Sequence, residues 1–390
     1  MTRVVFAPDS FGGTLSAGEA AEAMASGWLR ARPADDVHLA PMSDGGPGLV
    51  AAALSEPGVT GHDVATTDPL GRPLRARVAV DGSTAYVESA LAAGIGLLSP
   101  DERDPVATST LGVGQLVRYC LDQHVETVVV GLGGSATNDG GMGALEALGA
   151  VFTDAQGNRV AASGGGMTRV AGVDLSGLHP GLDQGSRIVL ATDVDNPLLG
   201  STGASRGFAP QKGANPAAVR ALEEGMTTFA TVVERAVGRP GLHQQSGAGA
   251  AGGLGFALMA VGAQRRPGFD VVADLVGLRH AIRRSDVVVT GEGRLDWQSL
   301  HGKVVHGVAA TCRRESRPCV AVVGSVQNAE HVRSALRLAG VYSLARHAGS
   351  RQRALADAAR LLADLCALVA SRVADPPSRA GGGFLINTST

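Results

Sequence analysis

The chain has 390 residues, 44% of them hydrophobic, with 34 basic against 36 acidic side chains and a net charge of −2. That length suits two domains of ordinary size, and the near-neutral charge excludes the basic footprint of a nucleic-acid or anionic-membrane binder. Aromatic residues, at 3%, are too scarce for a base-stacking platform, and 55 glycines point to an α/β protein rich in tight loops.

In chain order, residues 3–7 read as a buried strand that stops at Asp9 and Ser10. Ser16 with Glu19 three residues on forms a capping box, so a helix is expected to about residue 31. Residues 37–40 form a second strand ending at Asp44-Gly45-Gly46. Ligands of open parallel sheets sit at the carboxyl ends of strands, which makes Asp9 and Asp44 candidates for metal or hydroxyl contact; each also suits an ordinary cap or turn. From about 61 to 94 the alternation is short and hairpin-like, and a second domain is expected to begin there. A helix follows from about 110 and a β-branched strand at 127–130. The strand at 187–192 ends in Asp193-Val-Asp195-Asn196, a candidate cation or general-base cluster whose plain alternative is a set of Asx turns. Residues 216–237 read as an amphipathic helix. The strand at 285–290 ends in Gly291-Glu292-Gly293-Arg294-Leu295-Asp296, and 318–324 is another strand, with a weak one at 341–345. A helix over 352–373 closes the fold, and 376–390 read as a disordered tail.

The stretch GLGGSATNDGGMG, 131–143, stands at the centre of this pattern. Six of its thirteen residues are glycine, and Ser135, Thr137, Asn138 and Asp139 add short polar side chains. A strand ending in such a loop before a helix presents backbone N–H groups to an anion, and glycine permits close approach. A second glycine-rich stretch, 246–255, matches G-x-G-x-x-G without a preceding strand, which weakens a dinucleotide reading. Only two lysines occur, Lys212 and Lys303, each beside glycine in a loop-to-helix turn. A compact ammonium at a tight phosphate site is not interchangeable with a guanidinium. The four cysteines form no CxxC, so reduced thiols in a cytoplasmic protein are expected, and no signal peptide or long apolar span is read.

Glycine loops, two lysines, strand-end acids and an arginine together match the needs of phosphoryl transfer, which rests on positioning, metal and electrostatics. A rival stays open. Gly131-x-Gly133-x-x-Ala136 with Asp154 resembles a dinucleotide fingerprint and would suit a nicotinamide dehydrogenase, although Asp154 falls in a turn.

The chain resembles the glycerate kinase family of the bacterial type that forms 2-phosphoglycerate. The likeness spans about residues 3–345. It rests on APDSF (7–11), DGG (44–46), DPLGRP (68–73), GLGGSATNDGG (131–141), DVDNPLLG (193–200), FAPQKGA (208–214), GAGAAGGLG (247–255), VTGEGRLD (289–296) and LHGK (300–303). The resemblance implies two α/β domains, a Rossmann-like parallel α/β/α one (1–60 with 283–375) and an inserted mixed-sheet one (61–282), with the active site in the cleft between them. It implies ATP and Mg²⁺, and transfer of the γ-phosphoryl group to a hydroxyl of D-glycerate. A homodimer is left open.

On this reading Asp193 orients the substrate hydroxyl, with Asp44 as second candidate. Glu292 and Asp296 bind Mg²⁺. Lys212, Lys303 and Arg294 hold phosphates or the substrate carboxylate. Asp9, Ser10, Gly45, Gly133, Gly134, Ser135, Asn138, Asp139, Asn196, Gln211, Gly252, Gly253 and Gly291 line the ATP and substrate sites. Three positions depart from the family pattern: Gly12 replaces a lysine, Pro47 a glutamate and Leu49 a threonine. The alternative they raise is a kinase-fold protein acting on another small hydroxy acid, or a weak or inactive member that binds nucleotide.

Overall fold

The computed structural model describes residues 1–182, 185–295 and 304–373. The chain forms two compact units, one from residues 1–44 and 269 onward, the other from residues 45–268. The junctions read from the sequence stand near 60 and 283. The helix Leu49–Leu54, close to the first of them, packs on strands of the second unit. The expected tail lies outside the described residues.

The strands, in order, are β1 (Arg3–Pro8), β2 (Asp36–Leu39), β3 (Thr60–Thr67), β4 (Pro73–Asp81), β5 (Thr84–Glu88), β6 (Thr127–Gly131), β7 (Val151–Thr153) and β8 (Gly172–Asp174). They continue with β9 (Arg187–Ala191), β10 (Gln264–Arg266), β11 (Val287–Gly291), β12 (Arg294–Leu295), β13 (Cys319–Val323), β14 (Ser325–Val326) and β15 (Gly340–Ser343).

In the first unit a five-stranded sheet runs β15-β13-β11-β1-β2, all neighbours parallel. Counted within the unit this is the doubly wound order 2-1-3-4-5, and its direction reverses between β1 and β11. β11 and β13 are buried along their whole length, as Val-rich runs in a covered parallel sheet should be. The capping box forms: the Glu19 N–H donates to Ser16 Oγ and the Ser16 N–H to Glu19 Oε2, 3.2 and 2.8 Å. The helix it starts, Ala17–Ala31, buries Trp28, whose ring meets that of Phe6 edge-on at 5.9 Å. The same helix crosses Ala358–Arg372 so closely that a Cβ on Gly27 would stand 1.9 Å from the Ala363 carbonyl oxygen. The single helix expected over 352–373 is two, Arg351–Ala356 and Ala358–Arg372, parted at Asp357 where φ is −138°. Hydrophobic periodicity does not register such a break, because the apolar face resumes in phase on the far side.

In the second unit six strands run β10-β9-β6-β5-β4-β3. The four from β10 to β5 are parallel, and β4 runs antiparallel to both β5 and β3, which gives the mixed sheet. Phe152, Phe229 and Phe256 meet in sequence in its core, tilted and then edge-on, with centroids 5.5 and 6.1 Å apart. The helix Pro216–Val237 starts on Asn215, whose side chain accepts from two backbone N–H groups, and ends on left-handed Gly238. Among the described residues no helix is long and apolar enough to cross a membrane. All four cysteines are buried as free thiols.

The Gly27 crossing is testable. Gly27→Ala places a methyl inside a backbone contact, and overpacking of this kind costs roughly 1–3 kcal/mol. The unfolding free energy of the variant should fall by that amount, read as a lower denaturant midpoint; an unchanged midpoint would show that the helices part freely.

Candidate active site

In the first unit the topology delivers two acids to one point. β1 and β11 are neighbours with Pro8 paired to Gly291, so the residues just beyond them, Asp9 and Glu292, meet at the reversal of the sheet. The turn is held by its backbone: the Asp9 N–H donates to the Gly291 carbonyl (2.8 Å) and the Gly293 N–H to that of Ser10 (3.3 Å). Glu292 is 5% exposed. Burial, together with the negative charges of Asp44 and then Glu292, pushes the Asp9 carboxyl up to about 7, against the pull of the Ser10 N–H bonded to it at 2.6 Å. A cavity of about 340 Å³ opens beside these acids, lined among others by Ser10, Gly12, Arg294 and Arg351. Gly291 has a packing reason to be glycine, since a Cβ there would lie 2.0 Å from the Val322 carbonyl oxygen. Lys303 and Asp296 lie outside the described residues.

In the second unit the 131–143 loop leaves β6 and is almost wholly buried; only Gly133 and Gly134 reach solvent. Its other glycines answer to close packing. A Cβ on Gly131 would stand 2.3 Å from the Gly45 carbonyl oxygen, one on Gly141 2.3 Å from Ala257 Cβ, and one on Gly143 2.2 Å from Ser109 Oγ. Asp139, fully buried, accepts from the Thr110 N–H (2.7 Å) and hydroxyl (2.8 Å) and from the N–H groups of Gly141 (3.0 Å) and Gly143 (3.2 Å). Burial raises its pKa, and these four bonds act in the other direction. Asn138, also fully buried, donates to Ser205 Oγ at 3.0 Å, while its Oδ1 and Thr137 Oγ1 have no partner among the described residues.

Lys212 reaches this loop from the 3₁₀ turn Pro210–Lys212. Its ammonium donates to Ser135 Oγ at 2.8 Å and to the Thr137 carbonyl at 2.7 Å, and the residue is 3% exposed. Burial lowers its pKa to about 7, with the charge of Asp139 opposing. The second glycine-rich stretch interlocks with the first. Ala251, Gly252 and Gly253 are left-handed, at φ 50°, 69° and 93°, inside the helix Ala250–Ala260. A Cβ on Gly252 would lie 2.0 Å from the same Thr137 carbonyl oxygen, and Gly252 itself accepts the Gly140 N–H at 3.0 Å. Gly133, Gly134, Ser135, Gln211, Lys212 and Gly252 line one cavity of about 400 Å³. The structure therefore brings two distant sequence motifs and a lysine to one wall. A left-handed alanine on that wall is a backbone outlier of the kind that gathers at binding sites.

Asp193, just beyond β9, is half-buried and accepts the Gly268 N–H at 2.9 Å. Gly45 lies close by, where a Cβ would be 2.6 Å from Gly268 Cα and 2.8 Å from the Ala191 carbonyl oxygen. Asp195 turns outward to Arg265 (2.6 Å) and Ser246 (2.8 Å), and the Asn196 amide donates to the Thr202 carbonyl at 2.7 Å. Pro47 covers the glycine pair, with Cγ 3.0 Å from where a Gly134 Cβ would be, and Leu49 is fully buried against Gly131. One functional candidate escaped the sequence reading. Glu88, at the end of β5, is buried and accepts the N–H groups of Gly48 (3.0 Å) and Val50 (3.3 Å), and burial raises its pKa. Its neighbours alternate as in a solvent-facing hairpin, so no pattern marked it.

The sequence profile described as "Glycerate kinase family" matches residues 4–374. The chain is 39% identical over 327 residues to the glycerate 2-kinase of Escherichia coli (strain K12), covering 83% of this chain and 85% of that protein. It is equally identical, over the same shares, to the glycerate kinase of Bacillus subtilis (strain 168). A crystal structure described as "putative glycerate kinase 2" from Salmonella typhimurium LT2 superposes with a TM-score of 0.80 at 38% identity, covering 95% of this chain and 97% of that one.

The buried lysine sets a pH dependence. An unfolded lysine keeps its proton to 10.5 and the folded one releases it near 7. Between those values the unfolded state binds the extra proton, so stability rises with pH by up to about 1.4 kcal/mol per unit. Lys212→Met removes that slope. From about pH 7.5 to about pH 9.5, wild type should gain roughly 2–3 kcal/mol relative to the variant in urea unfolding. Parallel profiles would mean that the amine stays charged in the folded chain.

Proposed function

The chain belongs to the glycerate kinase family, and from that membership we propose that it transfers the γ-phosphoryl group of ATP to a hydroxyl of D-glycerate, giving 2-phosphoglycerate. The observation that carries the reading is the wall of the second unit's cavity: two interlocked glycine turns and a buried lysine on Ser135 and the Thr137 carbonyl. Backbone N–H groups at glycine turns and a nearby ammonium suit phosphate oxygens. An arriving phosphate also supplies the negative charge that keeps Lys212 protonated.

Bound ATP would supply the transferable group, and the protein's part is to bind, orient and move one proton. Asp193 accepts the proton of the acceptor hydroxyl, and the Gly268 N–H on its Oδ1 orients the carboxylate. Asp44 is the second candidate for that role. Gly133, Gly134, Ser135, Gln211, Gly252 and Lys212 receive phosphate oxygens, while Asn138, Asp139 and Gly253 hold the loops behind them. Arg294, in the first unit's cavity, takes an oxyanion of one of the two substrates. Among the described residues no group of three or more acids, histidines or cysteines is placed to hold a metal. Mg²⁺ needs less than that, since it keeps waters and takes one or two carboxylates alongside phosphates. Glu292, whose charge is felt at Asp9 together with that of Asp44, fits such a cation. Asp296 and Lys303, outside the described residues, keep the assignments read from the sequence: Mg²⁺ for Asp296, and phosphates or the substrate carboxylate for Lys303.

A second reading is favoured by Pro47 and Gly12. Pro47 lies over the glycine pair, and Gly12 lines the first cavity with nothing within 4 Å of its Cβ position. Gly12 lines its cavity and Pro47 packs on glycines that line the other, and neither carries a charge, so a different hydroxy acid is the natural competitor. ADP release with ATP and Mg²⁺ should depend on D-glycerate above a panel of hydroxy acids, and ³¹P NMR should show the 2-phosphate. Asp193→Asn keeps the Gly268 bond, so the fold should stand while turnover drops by about 10² to 10⁴. A stronger response to another acid would select the second reading, and acceptor-independent ADP release would overturn both.

A further inference from the structure

The first unit's cavity is lined by two arginines from unrelated parts of the chain. Arg294 comes from β12, just past the Glu292 turn. Arg351 opens the short helix Arg351–Ala356. That helix belongs to the region the sequence motifs leave out, and its apolar side, through Ala354 and Leu355, walls the same cavity. Among the described residues Arg351 is exposed and pairs with no carboxylate. The other polar groups of the lining are the acids Asp9 and Glu292 and the hydroxyls of Ser10, Thr14 and Ser325. Gly12 lies on the wall too, with open space at its Cβ position.

The geometry points to Arg351 as a further binding residue of this cavity, contacting an oxyanion of the ligand and supplying the positive charge that position 12, a glycine, does not. Two acids of the lining, Asp9 and Glu292, oppose an anionic ligand, and Arg351 gives the same lining a second guanidinium besides Arg294. Its planar fork suits either a carboxylate or a phosphate, and the two sources, D-glycerate and ATP, are separable by experiment. This rests on the proposed kinase reading for the identity of the ligand, and on the cavity alone for the role of the residue.

The experiment is titration calorimetry and steady-state kinetics on the full chain with Arg351→Ala, Arg351→Lys, and Arg351→Ala combined with Gly12→Lys. Arg351→Ala should weaken one ligand, D-glycerate or Mg²⁺-ATP, by about tenfold or more. The other ligand and kcat should stay within about twofold, and the unfolding midpoint should not move, because the side chain is exposed. Arg351→Lys should recover part of the loss, and Gly12→Lys should recover it from elsewhere in the same lining; a purely structural residue would be rescued by neither. Affinities unchanged for both ligands, or an equal loss of both with no rescue, would overturn the assignment. If wild type binds neither ligand, the kinase reading fails, and inorganic phosphate then decides the residue: weaker binding by Arg351→Ala supports it, and equal or absent binding overturns it.

Discussion

The carbonyl of Thr137 is the point on which the candidate site of the second unit depends. It takes the ammonium of Lys212 at 2.7 Å, and it excludes any side chain at Gly252, where a Cβ would come within 2.0 Å. A buried ammonium is costly to desolvate unless its donors are satisfied, and here the loop satisfies two of them. The loop is held from behind by Asp139, whose four bonds tie the turn to Thr110 and to its own glycines. The cavity wall is therefore a single hydrogen-bonded assembly whose parts come from residues near 110, 137, 212 and 252. No one of those segments forms it alone.

The two units solve the placement of acids differently. In the first, a parallel sheet that reverses its winding brings Asp9 and Glu292 together because both follow paired strands. In the second, Asp193 follows β9 in the same way, but the glycine turn after β6 has to be packed inward before its two outermost residues can face a ligand. This explains a loop so rich in glycine. Most of those positions meet backbone or core atoms, and only Gly133 and Gly134 are left for approach from outside.

Much of this was legible in the sequence, for physical reasons. Strand ends were marked by β-branched runs stopping at Gly and Asp, and Ser16 with Glu19 announced its helix. The mixed sheet followed from the hairpin alternation at 61–94. The two lysines stood out by scarcity, and Lys212 does meet the central loop. What the sequence withheld depends on three-dimensional neighbours. Periodicity counts apolar faces, so the break at Asp357 and the arrival of Arg351 at a cavity leave no trace in it. Glu88 and Asp139 look like ordinary strand and turn acids until burial and their donors are known. The glycines of 131–143 read as ligand contacts because nothing local distinguishes approach by a phosphate from approach by a neighbouring helix.

The inserted unit starts and stops at one place: a Cβ on Gly45 would stand 2.6 Å from Gly268 Cα. Once residues 45–268 have folded, the two pieces of the first unit are tethered as though by a tight turn. Without that, β1 would have to find β11 across the whole insertion, and closing a loop of that length costs roughly 5 kcal/mol in chain entropy. An insertion that has already folded removes most of that cost, since its drawn-together ends hand the doubly wound sheet a contact that has become local.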